Sequence, residues 1–376
     1  MQASTVRLGI LASVLTALAP IAFAQDAAQG ITVSTVFPPF DANAAACERP
    51  VGLDRVLAFA KDNDREFVTG IDHGLSLAAR DRGIDYVVAL ADNDSAVMLD
   101  QLDAFRSDRV GAIVVSPVDP GTQAPGLHAL IASGAYVGTI VAPPATSLLN
   151  APQYRTGKEL ADLAVEYIRT NLDGRANVVL LTQDSIQFLT PRFTAIRDAL
   201  AELPAVRIVA DISPNPVGKE GGLATMRTIL IAHPDVDVIL GADGVVLGAL
   251  QALREAGKDR PDQFLGGIDG EPEAVAEIRA GGPYKASISL NSPVFGYAMG
   301  QHAADWLDGK QIPQAMDILP RALTAENLAA YEADLADPGS VYNDPARRDS
   351  YLKMYGNICY STRANYVNFP WSSEAN

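Results

Sequence analysis

The sequence predicts an α/β protein with two lobes, each a doubly wound parallel sheet covered by helices on both faces. Short, continuously apolar runs alternate with segments whose apolar residues recur every three or four positions. Buried parallel strands produce the first pattern, and amphipathic helices produce the second. The alternation comes in two series, one up to residue 141 and one from Leu160 onward. In a chain of 376 residues, two such series indicate two lobes.

The first series contains four predicted strands separated by helices. The first helix begins near Phe67 and ends at Gly83, a residue that suits the left-handed position after a helix. Later helices are indicated around Met98 and at 127–132, and Pro143-Pro144 stops the last strand. The predicted strands are residues 56–60, 86–90, 112–115 and 136–141.

The second series repeats the arrangement. Its helices are indicated by apolar positions spaced for one helical face, and its strands are again continuous apolar runs. The predicted helices are residues 160–168, 193–200, 223–230 and 246–256. The predicted strands are residues 177–181, 206–210, 236–240 and 264–268.

The first 24 residues have the features of a secretory signal peptide. Arg7 precedes an apolar run at 8–23, and Ala22-Phe23-Ala24 forms an A-x-A cleavage site. The run is too short to favour a permanent membrane span, and no later stretch is apolar enough to cross a bilayer. We therefore expect a soluble chain in the periplasm, with the signal peptide removed.

Charge and cysteine content narrow the class further. The formal net charge of −16 repels nucleic acid and anionic lipid, so we expect no nucleic-acid partner. The only cysteines are Cys47 and Cys359. An even pair in an exported chain indicates a disulfide, and two buried free thiols are the alternative.

Residue patterns typical of catalysis or metal binding are absent from the sequence. There is no G-x-S-x-G nucleophile motif, and the four histidines are scattered without metal-ligand spacing. Asp92-Asn93-Asp94 begins like a calcium loop, but Ala96 stands where a ligand is required. We expect no enzyme activity, no cofactor and no metal.

Polar residues follow several predicted strands, where open parallel sheets bind their ligands. Carboxylates accept hydroxyl protons and a guanidinium donates several, so this set suits a hydroxyl-rich ligand. Each aspartate alone could be a helix cap, and the indication comes from the set. These residues are Asp62-Asn63-Asp64-Arg65, Asp92-Asn93-Asp94, Ser116, Gln183-Asp184, Asp243 and Asp269.

Several segments resemble the periplasmic sugar-binding proteins of ABC transporters, of the ribose- and galactose-binding type. They are residues 67–83, 110–117 (VGAIVVSP), 232–240 (AHPDVDVIL), 247–253 and Gly267-Ile268-Asp269-Gly270. The resemblance covers about residues 53–320. It implies a type 1 periplasmic binding protein-like fold whose lobes are joined by a three-strand hinge and trap the ligand between them.

The resemblance also implies where the chain crosses between lobes, near residues 150, 290 and 317. The residues outside these lobes do not follow the strand–helix rhythm, and the C-terminal ones are expected to form a loop-rich appendage. The expected parts are a signal peptide (1–24), an N-terminal extension (25–52), an N-terminal lobe (53–150 and 291–316), a C-terminal lobe (151–290 and 317–325) and a C-terminal extension (326–376).

The resemblance implies specific ligand contacts. Arg65 and Phe67 fall where the family has a polar and an aromatic contact, and Arg192 and Asp269 match its cleft arginine and cleft aspartate. The full set expected to bind ligand is Arg65, Phe67, Asp94, Phe188, Arg192, Asn215, Asp243, Asp269 and Asn291.

The chain departs from the family at three other cleft positions. Val141-Ala142 replaces a frequent Asp-Arg pair, Ala242 replaces Asn, and Leu290 replaces Gln. Because apolar side chains cannot bind ring hydroxyls, we expect a ligand with an apolar or deoxygenated side and weak binding of ribose, galactose and glucose.

The expected function is that of a monomeric receptor which delivers a small sugar-like or polyol ligand to an ABC permease in the inner membrane. A protein of the same fold could instead deliver its ligand to a chemoreceptor or histidine kinase, bind a non-sugar metabolite, or act as an enzyme. A neighbouring permease or sensor gene separates the first two, and turnover of candidate sugars tests the last.

Overall fold

A computed structural model describes residues 36–184 and 186–375, so the expected signal peptide lies outside the described residues. Two sheets organise the described chain, and most of their neighbouring strands are parallel. Helices cover both faces of these sheets, which confirms the predicted fold class of two doubly wound lobes.

The N-terminal lobe is built on a seven-stranded sheet. Its order is β13-β11-β5-β4-β3-β1-β2, and only β13 pairs antiparallel. The strands are β1 (Asp54–Lys61), β2 (Asp85–Leu90), β3 (Val110–Val115), β4 (Tyr136–Ile140), β5 (Ser147–Asn150), β11 (Ala315–Ile318) and β13 (Leu352–Tyr355).

The C-terminal lobe is built on a six-stranded sheet. Its order is β12-β10-β9-β8-β6-β7, and only β12 pairs antiparallel. The strands are β6 (Ala176–Leu181), β7 (Val206–Ile212), β8 (Val238–Gly241), β9 (Phe264–Asp269), β10 (Tyr284–Ser289) and β12 (Arg321–Leu323).

Twelve α-helices connect and cover the strands in the described ranges. Gly74 of α1 and Gly296 of α9 let these two helices pack backbone to backbone, because an added Cβ at either position would lie within 2.5 Å of the other helix. The helices are α1 (Glu66–Arg82), α2 (Ser95–Ser107), α3 (Pro120–Ser133), α4 (Gln153–Asn171), α5 (Thr190–Ala201), α6 (Lys219–Ala232), α7 (Asp243–Ala256), α8 (Pro272–Ala280), α9 (Ser292–Leu307), α10 (Leu328–Ala336), α11 (Pro338–Asn343) and α12 (Pro345–Tyr351).

Four connections join the two lobes in the described residues. Three follow β5, β10 and β11, near the crossings expected for a three-strand hinge, and the one after β11 begins beyond Ile318, because Ala315–Ile318 is still part of the N-terminal sheet. The fourth, between α10 and α11, was not expected.

The C-terminal extension is not a loop-rich appendage, and that prediction was wrong. It contains α10, α11, α12 and β13. Leu328 and Tyr331 of α10 enter the core of the C-terminal lobe, whereas Val341 of α11 and Leu352 of β13 enter that of the N-terminal lobe. Long-range packing orders this segment, although its polar composition resembles that of a loop.

The predicted disulfide is present. Cys47 and Cys359 are bonded and join the segment before β1 to the segment after β13.

The edge strand β2 differs from expectation. Its apolar run predicted burial, but Val87, Val88 and Leu90 are about two-fifths exposed, because β1 is its only neighbour in the sheet.

Candidate functional site

A cavity of about 400 Å³ lies between the residues that follow β1 in the N-terminal lobe and those that follow β9 in the C-terminal lobe. This volume falls within the range of about 300–1,000 Å³ that is usual for small-molecule sites. Its position matches the ligand site expected at the carboxyl ends of parallel strands. The cavity is lined by residues 65–67 and Gly70, 269–272, 292–293, Tyr331 and Leu335.

A tight turn after β9 presents Asp269 to the cavity. Asp269 and Gly270 both have positive φ angles, of 120° and 74°. Glycine suits the second position, because an added Cβ would lie 2.8 Å from the side chain of Ser289. The backbone N–H of Gly270 donates to Ser287 Oγ at 3.1 Å. The turn therefore has a fixed shape, and it leaves the Asp269 side chain about 30% exposed.

Asp243 lies beneath this turn and does not reach the cavity. It is fully buried and accepts hydrogen bonds from Tyr284 Oη at 2.7 Å, from Ser287 Oγ, and from the backbone N–H of Glu271 at 2.8 Å. Burial raises the pKa of Asp243 to about 6, against the effect of these hydrogen bonds. Gly267 makes room for the carboxylate, since an added Cβ would lie 1.7 Å from Asp243 Oδ1. Asp243 was expected to contact the ligand, but in the structure it supports the turn that carries Asp269.

Arg192 stands behind Asp269 at the start of α5. It is only 4% exposed, and its Nε donates to Gln153 Oε1 at 3.0 Å. Gly157 lets α4 pack closely against the start of α5, because an added Cβ would lie 1.8 Å from the carbonyl oxygen of Arg192. Arg192 Nη1 is 3.9 Å from Asp269 Oδ1, which is too long for a hydrogen bond. Burial lowers the pKa of Arg192, while the neighbouring carboxylates oppose that shift.

The N-terminal lobe contributes Arg65 and Phe67 to the cavity. The guanidinium of Arg65 donates to Asp62 Oδ2 at 3.0 Å and to Asn63 Oδ1 at 2.8 Å, which holds it at the end of β1. The Phe67 ring packs on Phe295 with ring centroids 5.4 Å apart. The lobe thus offers an anchored cation and a supported apolar face.

Arg192 is not part of the cavity lining, and the remaining expected ligand residues do not line it either. Asp94 caps α2 by accepting from the backbone N–H groups of Ala96 and Val97, and Asn291 is a buried cap of α9. Phe188 is 54% exposed and Asn215 is also exposed. Of the expected set, Arg65, Phe67 and Asp269 line the cavity, and Arg192 lies behind Asp269.

Sequence reasoning missed several cavity residues. Glu66 and Glu271 directly neighbour predicted positions, so the strand-end argument could have included them. Tyr331 and Leu335 lie on α10 in the C-terminal extension, and no motif in the sequence marked them.

Within residues 36–184 and 186–375, no cluster of three or more His, Cys, Asp or Glu side chains could hold a metal ion. Among the same residues, no helix has the length and apolar character needed to cross a membrane.

Comparison with known proteins identifies the class. The family described as periplasmic binding protein domain matches residues 56–311, and the chain belongs to that family. It is 23% identical to a ribose import binding protein of Bacillus subtilis (strain 168), over 66% of this chain and 80% of that protein. It is 28% identical to a putative rhizopine-binding protein of Rhizobium meliloti, over 72% of this chain and 89% of that protein.

Solved structures agree on the fold. An ABC transporter solute-binding protein from Bacillus halodurans C-125 with bound myo-inositol has a TM-score of 0.64 and 20% identity, over 75% of this chain and 98% of that one. A periplasmic solute-binding protein from Actinobacillus succinogenes 130z with bound D-allose has a TM-score of 0.66 and 22% identity, over 74% and 100%.

Proposed function

We propose that this protein is an exported receptor which binds a hydroxylated, sugar- or polyol-like molecule between its lobes and delivers it to an ABC permease in the inner membrane. Its relatives support the ligand class, since they include a ribose import binding protein and a xylitol-binding protein of Mycolicibacterium smegmatis. The bound myo-inositol and D-allose of the similar structures point the same way.

The paired geometry of Arg192 and Asp269 carries this proposal. The guanidinium is anchored through Nε, and its Nη1 stops 3.9 Å short of the carboxylate. At this distance the guanidinium and the carboxylate do not hydrogen-bond each other directly. A ligand hydroxyl between them can accept a hydrogen bond from the guanidinium and donate one to Asp269 at the same time. Vicinal hydroxyls on a ring or a chain supply such donor–acceptor groups.

Binding at this cavity favours closure of the lobes. Phe67 and Arg65 approach the ligand from one lobe and Asp269 from the other, so a bound molecule contacts both groups only when the lobes are together. A ligand that makes these extra contacts binds the closed form more tightly than the open form. The difference between these two binding free energies is the amount by which the ligand stabilises the closed form. A permease that recognises the closed form would then receive loaded receptors.

Calorimetric titration of myo-inositol, D-allose and xylitol into purified protein tests the proposal. We expect at least one to bind, and the Arg192→Met variant to bind it at least tenfold more weakly, because a charged hydrogen bond in a desolvated site contributes about 1.5–3 kcal/mol. Arg169→Met is the matched control, since Arg169 is exposed on α4 away from the cavity.

A second measurement covers ligands outside that panel. Mass spectrometry of small molecules released from protein purified from its native periplasm is expected to find a hydroxylated compound. The proposal fails if no such compound is released and no polyol or sugar binds.

A further inference from the structure

Negative charge exceeds positive charge in and beneath the cavity. Glu66, Asp269 and Glu271 line it, with Asp243 buried below. Neither Glu66 nor Glu271 has a hydrogen bond or ion pair from its side chain to any other residue in the described ranges. Arg65 is the only cationic side chain in the lining.

The two nearby guanidinium groups are already engaged. Arg65 is paired with Asp62 at 3.0 Å, and Arg192 donates to Gln153 and faces Asp269. Neither compensates Glu66 or Glu271, so two carboxylates remain without a positive partner.

Glu271 has the most strongly perturbed environment of the lining carboxylates. Burial, together with the charges of Asp243 on α7, Asp269 on β9, Glu66 on α1 and Glu273 on α8, raises its pKa to about 7. The charges that raise this pKa are all negative. Lys219 stands nearby on α6, but it is bound to Glu273. The remaining ionisable neighbours in the lining are Arg65, held by Asp62, and Tyr331 of α10, whose hydroxyl bonds Ser289.

A bound cation would relieve this imbalance, and the surroundings indicate an organic one. The cavity of about 400 Å³ is far larger than a metal ion requires. Its lining also has apolar surface, from Phe67, Pro293 and Leu335. Such surface suits the C–H faces of a ring or a chain, whereas the carboxylates suit a protonated amine.

We propose that the ligand is a hydroxylated compound that carries a protonated amine, an amino sugar or an amino polyol, with its ammonium group bound by Glu271 and Glu66. This inference rests on the proposed receptor function and adds the charge of the ligand to it. Arg192 and Asp269 bind its hydroxyls, and the two glutamates select its amine.

Paired probes that differ only in the amine test the inference. Calorimetry compares 1-amino-1-deoxy-D-sorbitol with D-sorbitol, and D-glucosamine with D-glucose. We expect the amine of a pair to bind at least tenfold more tightly. Glu271→Gln should abolish that preference, whereas Glu202→Gln, which removes an exposed carboxylate at the end of α5 outside the cavity lining, should retain it. For the alkylamine, affinity should rise about five- to tenfold from pH 6 to pH 8 as Glu271 ionises.

Mass spectrometry of the molecule released from native protein decides the case if no probe binds. A nitrogen-containing hydroxylated compound supports the inference. A neutral sugar or polyol, or equal affinity for both members of a pair, overturns it and leaves the receptor function in place. Release of no hydroxylated compound, together with no binding, overturns both proposals. Saturable binding of calcium chloride at the same residues would assign the carboxylates to a metal and also overturn the inference.

Discussion

Replacing Asp243 with asparagine is expected to stabilise the protein at neutral pH. The carboxylate is fully buried, and its folded-state pKa is raised to about 6 from an ordinary value of 3.8. Asparagine keeps the shape and removes the charge. Its carbonyl can accept from the Glu271 backbone, and its amide can donate to the hydroxyls of Tyr284 and Ser287, which rotate to accept.

The magnitude follows from the pKa shift. A group whose pKa is raised on folding stabilises the fold below its unfolded pKa, and this stability is lost as pH rises through the folded pKa. A shift from 3.8 to about 6 corresponds to about 3 kcal/mol. The wild-type protein should lose that amount between about pH 4 and pH 7, and Asp243→Asn should not. At pH 7.5 the variant should therefore be more stable by up to about 3 kcal/mol.

Urea unfolding followed by far-UV circular dichroism, at pH 4.5 and pH 7.5, measures this difference. Fluorescence is unsuitable, because Trp306 and Trp371 both pack in the N-terminal lobe. Asp243→Ala is the contrasting variant. It leaves the Glu271 N–H and two hydroxyls without their acceptor and should destabilise the protein by several kcal/mol at both pH values. An Asn variant whose stability relative to wild type is the same at both pH values would refute the reasoning.

Three further predictions concern the packing at Gly267, the disulfide and the ligand. Gly267→Ala should destabilise the C-terminal lobe by about 3 kcal/mol or more, seen as a lower urea midpoint, because its Cβ would overlap Asp243; an unchanged midpoint would contradict this packing. Replacing both Cys47 and Cys359 with Ser should lower stability by about 2–5 kcal/mol without altering ligand affinity, and peptide mapping should show the linked pair in the wild type. D-ribose, D-galactose and D-glucose should give little heat on titration, because Val141-Ala142 offers no side-chain hydrogen bond; tight binding of any one would disprove this expectation.

The regular part of the fold was predictable because its signals are local. The helix from Glu66 to Arg82 shows apolar spacing and ends at Gly83, which has the left-handed φ of 60° that the sequence suggested. Strand β3 is buried throughout, as its apolar run indicated. Strand β5 escaped prediction, because it is only four residues long and so short a run carries little periodicity.

The site was predictable only in part. Arg192 and Asp269 follow strands and match a family motif, so position along the chain was enough to indicate them. Asp243 also begins a helix after a strand, but its side chain turns into the core. The direction of the Asp243 side chain depends on Tyr284 and Ser287, which lie more than 40 residues away and donate hydrogen bonds to its carboxylate.

The sequence by itself determined the two series of strands and helices, the cysteine pair and the main polar residues of the cleft. These features follow from residue spacing, composition and short motifs, which act over a few positions. Only the tertiary structure decided that α10 of the C-terminal extension closes one side of the cavity with Tyr331 and Leu335. It also decided that Glu66 and Glu271 are left without a cation. Both facts arise from contacts between segments far apart in the chain. Such contacts produce no periodic pattern in the sequence of either segment, so they could not be predicted from it.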